Sequence, residues 1–276
     1  MTQIGRYNNL IINRTIDFGA YLDGENLGEI LIPQKYLTEN NRIGDEIKVF
    51  VYLDSEDRLI ATTEIPKAQV GEFAFLKVNS VNKTGAFLDW GLTKELLVPF
   101  REQKVTMTEG RSYMVFVYVD DETQRIVASA KIDKFLNNTI PEYQPNEEVD
   151  LIIECETDIG YNAIINHQHS GILYHNELYE ALEKGQKIKG YIKKIRPDEK
   201  IDLTLYKPGY QKISSMSDMV MYILRQNDGY MSVNDKTDAE TIYDLFGMSK
   251  KNFKKCIGAL YKKKIISIEK NGIRIN

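Results

Sequence analysis

Through the first two hundred positions, apolar residues alternate with polar ones in short runs, as at Val115, Val117 and Val119 and again around Ile188 and Ile192. The runs end in glycines or Asp-rich turns at intervals of about ten residues, the period-two signature of half-buried antiparallel strands. The pattern is written more than once. "FGAYLDGENLGEILIP" (Phe18 to Pro33) returns 66 positions later as "TGAFLDWGLTKELLVP" (Thr84 to Pro99), and "GDEIKVFVYLD" from Gly44 returns as "GRSYMVFVYVD" from Gly110. A fainter third copy places Gly160, Gly185 and Lys200 75 positions after Gly85, Gly110 and Arg125. Five short strands in each copy predict a small closed barrel, because closure removes the exposed edges of a short antiparallel sheet.

After "LTLYKPGYQK" the period changes from two to that of a helix. Ser217 is expected to cap a helix carrying Met219, Val220, Ile223 and Leu224 on one face. A second helix is expected after Thr237, with Ile242, Leu245 and Phe246 apolar and Gly247 ending it. Ser249 caps a third, "KKNFKKCIGALYKKK", in which Phe253, Ile257 and Leu260 face the core. Asn271-Gly272 then marks a hairpin. The expected fold is mainly β and multi-domain: three five-stranded OB-type β-barrels in tandem followed by a C-terminal α+β winged-helix domain. The expected boundaries are 1–66, 67–140, 141–212 and 213–276.

Composition adds bounds. Hydrophobic residues at 42% and charged residues at 28% fit soluble globular material. No apolar run approaches the roughly 18 residues of a membrane span, and "MTQIGRYNNL" lacks the apolar core of a signal peptide, so a cytoplasmic protein without a membrane partner is expected. Cys155 and Cys256 are too few and too far apart for a disulfide framework. Charge is distributed unevenly. Residues 1–66, 67–135, 136–205 and 206–276 carry −5, +1, −6 and +6, so a polyanion is expected to favour the C-terminal end.

Within each copy the order of residues resembles the RNA-binding repeat of ribosomal small-subunit protein one, the S-one domain. The first copy carries "GAYLD", "EILIP", "GDEIKVFVYLD" and "DRLIATT" at the family's motif positions. The resemblance spans residues 8–64, 72–131 and 148–206. Together with the winged helix, and most specifically through "GYIKKIRPDEKIDLTL" and "GMSKKNFKKCIGALYKKKII", the chain resembles the bacterial conserved virulence factor B family. That resemblance implies RNA binding linked to control of gene expression, with no enzymatic activity.

The S-one pattern places its aromatic residue on the open face of the barrel, where a base can stack. This assigns Tyr21 with Phe18 in the first copy and Phe87, with Lys77 and Lys83 nearby, in the second. The third has Ile159 and Asn162 instead. Each of these aromatics either stacks a base or covers the barrel mouth. Where the motif often carries His, this chain has Pro33, Pro99 and Tyr174, with His175 adjacent. The third copy concentrates cations in "KGQKIKGYIKKIR": Lys184, Lys187, Lys189, Lys193, Lys194 and Arg196 with Tyr191 interleaved. Alternation predicts Lys189, Tyr191 and Lys193 on one face. Basic residues interleaved with an aromatic suit single-stranded RNA. In the third helix Lys250, Lys251, Lys254 and Lys255 crowd the side opposite the core, and Lys262, Lys263 and Lys264 extend the charge toward the wing. A helix of Lys without Arg fits phosphate contact better than bidentate base readout.

No phosphate-binding glycine loop or nucleophile motif is present. Cys155, His167, His169 and His175 match closed zinc sites poorly, so neither a metal, a cofactor nor a small-molecule substrate is expected. Three readings remain open: a non-catalytic regulator binding single-stranded RNA through the third barrel and winged helix; an adaptor whose acidic first barrels dock a protein while the tail binds RNA; and a winged-helix DNA-binding regulator.

Overall fold

The computed structural model describes residues 1–178, 181–206 and 216–276. Its chain divides into two compact units, one of Met1–Thr139 with His167–His169, the other of Ile140–Asn166 with Ser170–Asn276. The expected boundary near residue 212 lies outside the described residues.

The first unit contains two barrels. In the first, β1 (Tyr7–Ile16), β2 (Gly19–Asp23), β3 (Glu29–Pro33), β4 (Glu46–Leu53) and β5 (Leu59–Thr62) close in the order β1-β2-β3-β5-β4. The second repeats this with β6 (Phe73–Val81), β7 (Gly85–Asp89), β8 (Leu96–Pro99), β9 (Ser112–Val119) and β10 (Ile126–Ser129). In the second unit β11 (Glu148–Thr157), β12 (Gly160–Ile165), β13 (His169–Tyr174), β14 (Lys187–Ile195) and β15 (Ile201–Thr204) form the third barrel.

Two devices recur at the repeat spacings and close each sheet. The first strand of every barrel shifts register, between Ile12 and Arg14, Val78 and Ser80, and Ile153 and Cys155. Such a bulge bends the strand, so that in the first barrel Tyr7–Ile11 pairs with β4 and Ile12–Ile16 with β2. The second device is the glycine that opens the next strand. A Cβ on Gly19, Gly85 or Gly160 would stand 2.1 Å from the Ile32 carbonyl oxygen, 2.3 Å from that of Val98 or 2.1 Å from that of Leu173. Only glycine lets the two backbones approach this closely.

Alternation fills the barrels. Leu10, Ile12, Ala20, Leu22, Ile30 and Ile32 point into the first, while Tyr21 between Ala20 and Leu22 faces outward. β4 breaks the alternation, because Val49, Phe50, Val51 and Tyr52 are all buried. Val49 and Val51 belong to the first barrel's core, and Phe50 and Tyr52 to the second's. The Phe50 ring meets Tyr7 at 5.6 Å and Trp90 at 5.7 Å edge-on. Trp90, 2% exposed, is thus packing rather than a platform, and its indole N–H donates to the Lys94 carbonyl.

In the winged helix, α1 (Met216–Gln226), β16 (Tyr230–Met231), α2 (Ala239–Phe246), α3 (Lys250–Lys262), β17 (Ile266–Glu269) and β18 (Gly272–Ile275) enclose a core that includes Ile223, Leu224, Ile242, Phe246, Phe253, Ile257 and Leu260. Asp238 and Ser249 cap α2 and α3 by accepting from the backbone N–H of Thr241 and Asn252, and Gly247 ends α2 in the left-handed conformation. Two details differ from expectation. Ser217 lies inside the first turn of α1 instead of capping it, since Met216 is already helical. Leu245 is 40% exposed, because Ile242 and Phe246 already occupy the α2 positions that face the core.

The single tryptophan sits in the second barrel, so its fluorescence follows unfolding there. Gly85→Ala, which drives a methyl into the Val98 carbonyl, is expected to cost about 1–3 kcal/mol in urea denaturation read at Trp90. An unchanged midpoint would contradict the role given to this close approach.

Candidate nucleic-acid interface

Each barrel presents its outward face differently. In the first, the Arg14 guanidinium carbon lies 4.0 Å from the centre of the Tyr21 ring, and Arg14 also donates to both carboxylate oxygens of Glu29, with Nη2 to Oε2 at 2.7 Å. That hydrogen bond holds the Glu29 carboxyl below its ordinary range. One face of Tyr21 is therefore covered by a cation that is itself paired, while Phe18 nearby is 63% exposed. In the second barrel Phe87 is half-buried and Lys77 is exposed across from Asp89, whose carboxylate binds Lys67 at 2.5 Å.

The third barrel has a recess of about 330 Å³ lined by Tyr174, Asn176, Glu177, Lys193, Lys194, Arg196 and Asp202. Four residues singled out from sequence, Tyr174, Lys193, Lys194 and Arg196, meet here. Asp202 at its base is 4% exposed and accepts from Arg196 Nε at 2.8 Å, Arg196 Nη2 at 2.6 Å and the Tyr174 hydroxyl at 3.1 Å. Lys194 approaches the same carboxylate at 3.6 Å, and Lys193 pairs with Glu177. His175 is exposed outside the recess, its Nε2 2.9 Å from the Thr157 carbonyl oxygen.

Lys189 and Tyr191 do not join this group. They line a second recess, because β14 shifts register between Ile192 and Lys194 and the simple alternation expected along the strand stops there. Lys189 pairs with Asp150 at 2.7 Å, and the Tyr191 hydroxyl donates to Glu148 at 3.0 Å. Burial first, then the bond to Glu148, pushes the Tyr191 hydroxyl up to about 12.

Lys189, Lys193, Lys194 and Arg196 are thus each matched by a carboxylate, which reading the basic run alone does not reveal, whereas the exposed Lys187 at the start of β14 has none among the described residues. A signal was present. Glu148 and Asp150 alternate on β11, and in the antiparallel register they stand opposite Tyr191 and Lys189. The pairs differ in strength. Lys189 and Asp150 are exposed on both sides, so their attraction contributes at most about 1 kcal/mol and an incoming phosphate can replace it. Arg196 is tied to a buried carboxylate that cannot be left alone without a cost of about 3–5 kcal/mol, so it stays with Asp202 and orients Tyr174.

The winged helix contrasts with this. Lys251, Lys254 and Lys255 of α3, and Lys262, Lys263 and Lys264 at its end, are exposed. Among the described residues their ammonium groups make no hydrogen bond or ion pair, while Lys250 donates to the Lys236 carbonyl at 3.2 Å. This positive surface lies opposite the buried Phe253, Ile257 and Leu260. His167 Nδ1 accepts from the Phe73 N–H, and His169 Nε2 is 2.8 Å from the Thr139 carbonyl oxygen.

Comparison with known proteins agrees with this architecture. Residues 4–64 and 70–131 each match the S1 domain, and residues 218–275 match the CvfB-like winged helix domain. These are binding modules, and none is a catalytic family. The chain is 27% identical over 271 residues, 94% of its length, to uncharacterized protein YitL of Bacillus subtilis, covering 89% of that protein. It is 24% identical over 265 residues to conserved virulence factor B of Staphylococcus saprophyticus, covering 92% of this chain and 88% of that protein. A crystal structure of a Streptococcus pneumoniae multidomain protein with nucleic acid binding domains is 23% identical and covers 99% of this chain and 98% of that one. Its TM-score against this chain is 0.40. No helix among the described residues is long and apolar enough to cross a membrane.

Asp202→Asn is expected to cost about 2–3 kcal/mol and Lys189→Ala less than about 1 kcal/mol, measured by amide hydrogen exchange at Ile192 and Leu203. Equal effects would contradict the distinction between the buried and the exposed pair.

Proposed function

This chain belongs to the conserved virulence factor B family, and from that premise we propose that it is a non-catalytic protein that binds single-stranded RNA through its third barrel and winged helix. The observation that carries the reading is the contrast in charge. Among the described residues, six lysines on and after α3 face solvent without a partner, whereas Lys189, Lys193, Lys194 and Arg196 of the third barrel have carboxylates beside them. Unpaired ammonium groups gain most from phosphate, since each contact releases condensed counterions and breaks nothing in the protein. The α3 lysines therefore hold the backbone, and the recess around Tyr174 receives a base on a tyrosine that Arg196 and Asp202 fix in place.

Single strands fit better than duplex because the barrels belong to a fold that reads splayed bases, and α3 has no Arg for bidentate contact in a groove. The first barrel adds little to RNA affinity. It carries −5, and Arg14 covers one face of its Tyr21. Its acidic surface is better suited to a protein partner. The relatives' name includes virulence, and the role that fits an RNA-binding protein without catalytic machinery is post-transcriptional control of gene expression in the cytoplasm.

Replacing Lys251, Lys254 and Lys255 together with Ala is expected to weaken binding of the full chain to a single-stranded RNA and to flatten the log–log salt dependence by about 2, since each lost phosphate contact removes about 0.7. Fluorescence anisotropy over a salt series measures both. Unchanged affinity and slope would overturn the placement on α3. Tighter binding to duplex DNA than to RNA at the same salt would favour a transcription regulator.

A further inference from the structure

The second unit holds a recess of about 350 Å³ between the third barrel and the first two helices of the winged helix. This is near the lower limit for ligand sites and suits one flat heterocycle better than a chain of nucleotides. Its lining includes Met219, Ile223 and Phe246, apolar side chains that are almost fully buried. Two aromatic rings, Tyr191 from β14 and Tyr243 from α2, line it together with two carboxylates, Glu148 and Asp244. Lys189 lies at the edge, its ammonium drawn to Asp150.

The two acids are not equivalent. Glu148 accepts from the Tyr191 hydroxyl and so fixes that ring. Asp244 makes no hydrogen bond or ion pair among the described residues, which leaves both of its oxygens available. With Lys189 paired to Asp150, the carboxylates of Glu148 and Asp244 leave the recess acidic, and after burial they raise the Tyr191 hydroxyl. The occupant must be planar, apolar on its faces and rich in hydrogen-bond donors on one edge.

Among nucleobases this description selects one. Guanine carries its ring N–H and exocyclic amine side by side, matching the two oxygens of a carboxylate. Adenine and cytosine place a single amine next to a ring acceptor, and uracil flanks its one N–H with two carbonyls that a carboxylate repels. We infer that this recess binds a single unpaired guanine of the bound RNA, with Asp244 reading its donor edge and Tyr191 and Tyr243 contacting its faces. The inference rests on the proposed RNA-binding function and adds base selectivity to it.

The test uses the full chain and nine-residue oligouridylates carrying G, inosine, A or U at the central position, compared by fluorescence anisotropy at one salt concentration. The G oligomer is expected to bind about tenfold more tightly than the all-U one. Inosine, which lacks the exocyclic amine, is expected to lose most of that gain. Asp244→Asn should bring the G-to-U ratio close to one. Because the four oligomers are first compared on the unsubstituted chain, a variant that fails to fold does not decide the matter. Equal binding of all four, or a G preference that survives in a folded Asp244→Asn chain, overturns the guanine site and leaves RNA binding in place. Failure of every oligomer to bind overturns the RNA-binding reading beneath it.

Discussion

The close approach of two backbones at Gly19, Gly85 and Gly160 is the constraint on which the rest of the molecule depends. Each barrel closes five short strands on themselves, and that closure requires the strand starting at the glycine to pass within van der Waals contact of a carbonyl on its neighbour. The bulge in the preceding strand supplies the bend. With both devices in place, every second side chain is committed to a dry interior and the intervening ones are left for chemistry. The same commitment explains why barrel faces built on one backbone plan can diverge. Tyr21 lies under Arg14, Phe87 stands half-buried near a lysine, and the third barrel trades the motif aromatic for Tyr174 above a buried Asp202.

On that scaffold the distribution of charge partners decides what is available to an anion. A lysine beside an exposed carboxylate can exchange it for a phosphate at little cost, but an arginine serving a buried carboxylate cannot. The third barrel contains both kinds, in Lys189 of β14 and Arg196 just after it. α3 contains lysines of a third kind, with no partner at all among the described residues. A count of basic residues treats these as equal. Their environments rank them, and α3 comes first.

Much of the fold was legible because its devices have fixed spacing. The Gly-Ala-aromatic-aliphatic strand returned at an offset of 66 and its opening glycine again 75 positions later, and the caps Ser249 and Gly247 stood where helical periodicity began and ended. What was missed depends on contacts distant in sequence. The carboxylates facing β14 come from β11, the loop after β13 and β15, so the basic run appeared freer than it is. The register shift that separates Tyr191 from Lys194 leaves no mark in a run of alternating residues. The burial of Phe50 against the second barrel did leave a mark, since Val49 to Tyr52 form a continuous apolar run of the type found in strands covered on both sides. Ser217 was misplaced because a serine in the first helical turn resembles one just before it.

The central claim is that RNA lies on the second unit, held by α3 and received by the third barrel. Photocrosslinking of the full chain to a single-stranded RNA containing 4-thiouridine, followed by mass-spectrometric mapping of the modified peptides, tests this most directly. The account predicts crosslinks within residues 170–206 and 245–265, with few in residues 1–139. Crosslinks concentrated around Phe18, Tyr21 and Phe87, with residues 245–265 unmodified, would contradict it.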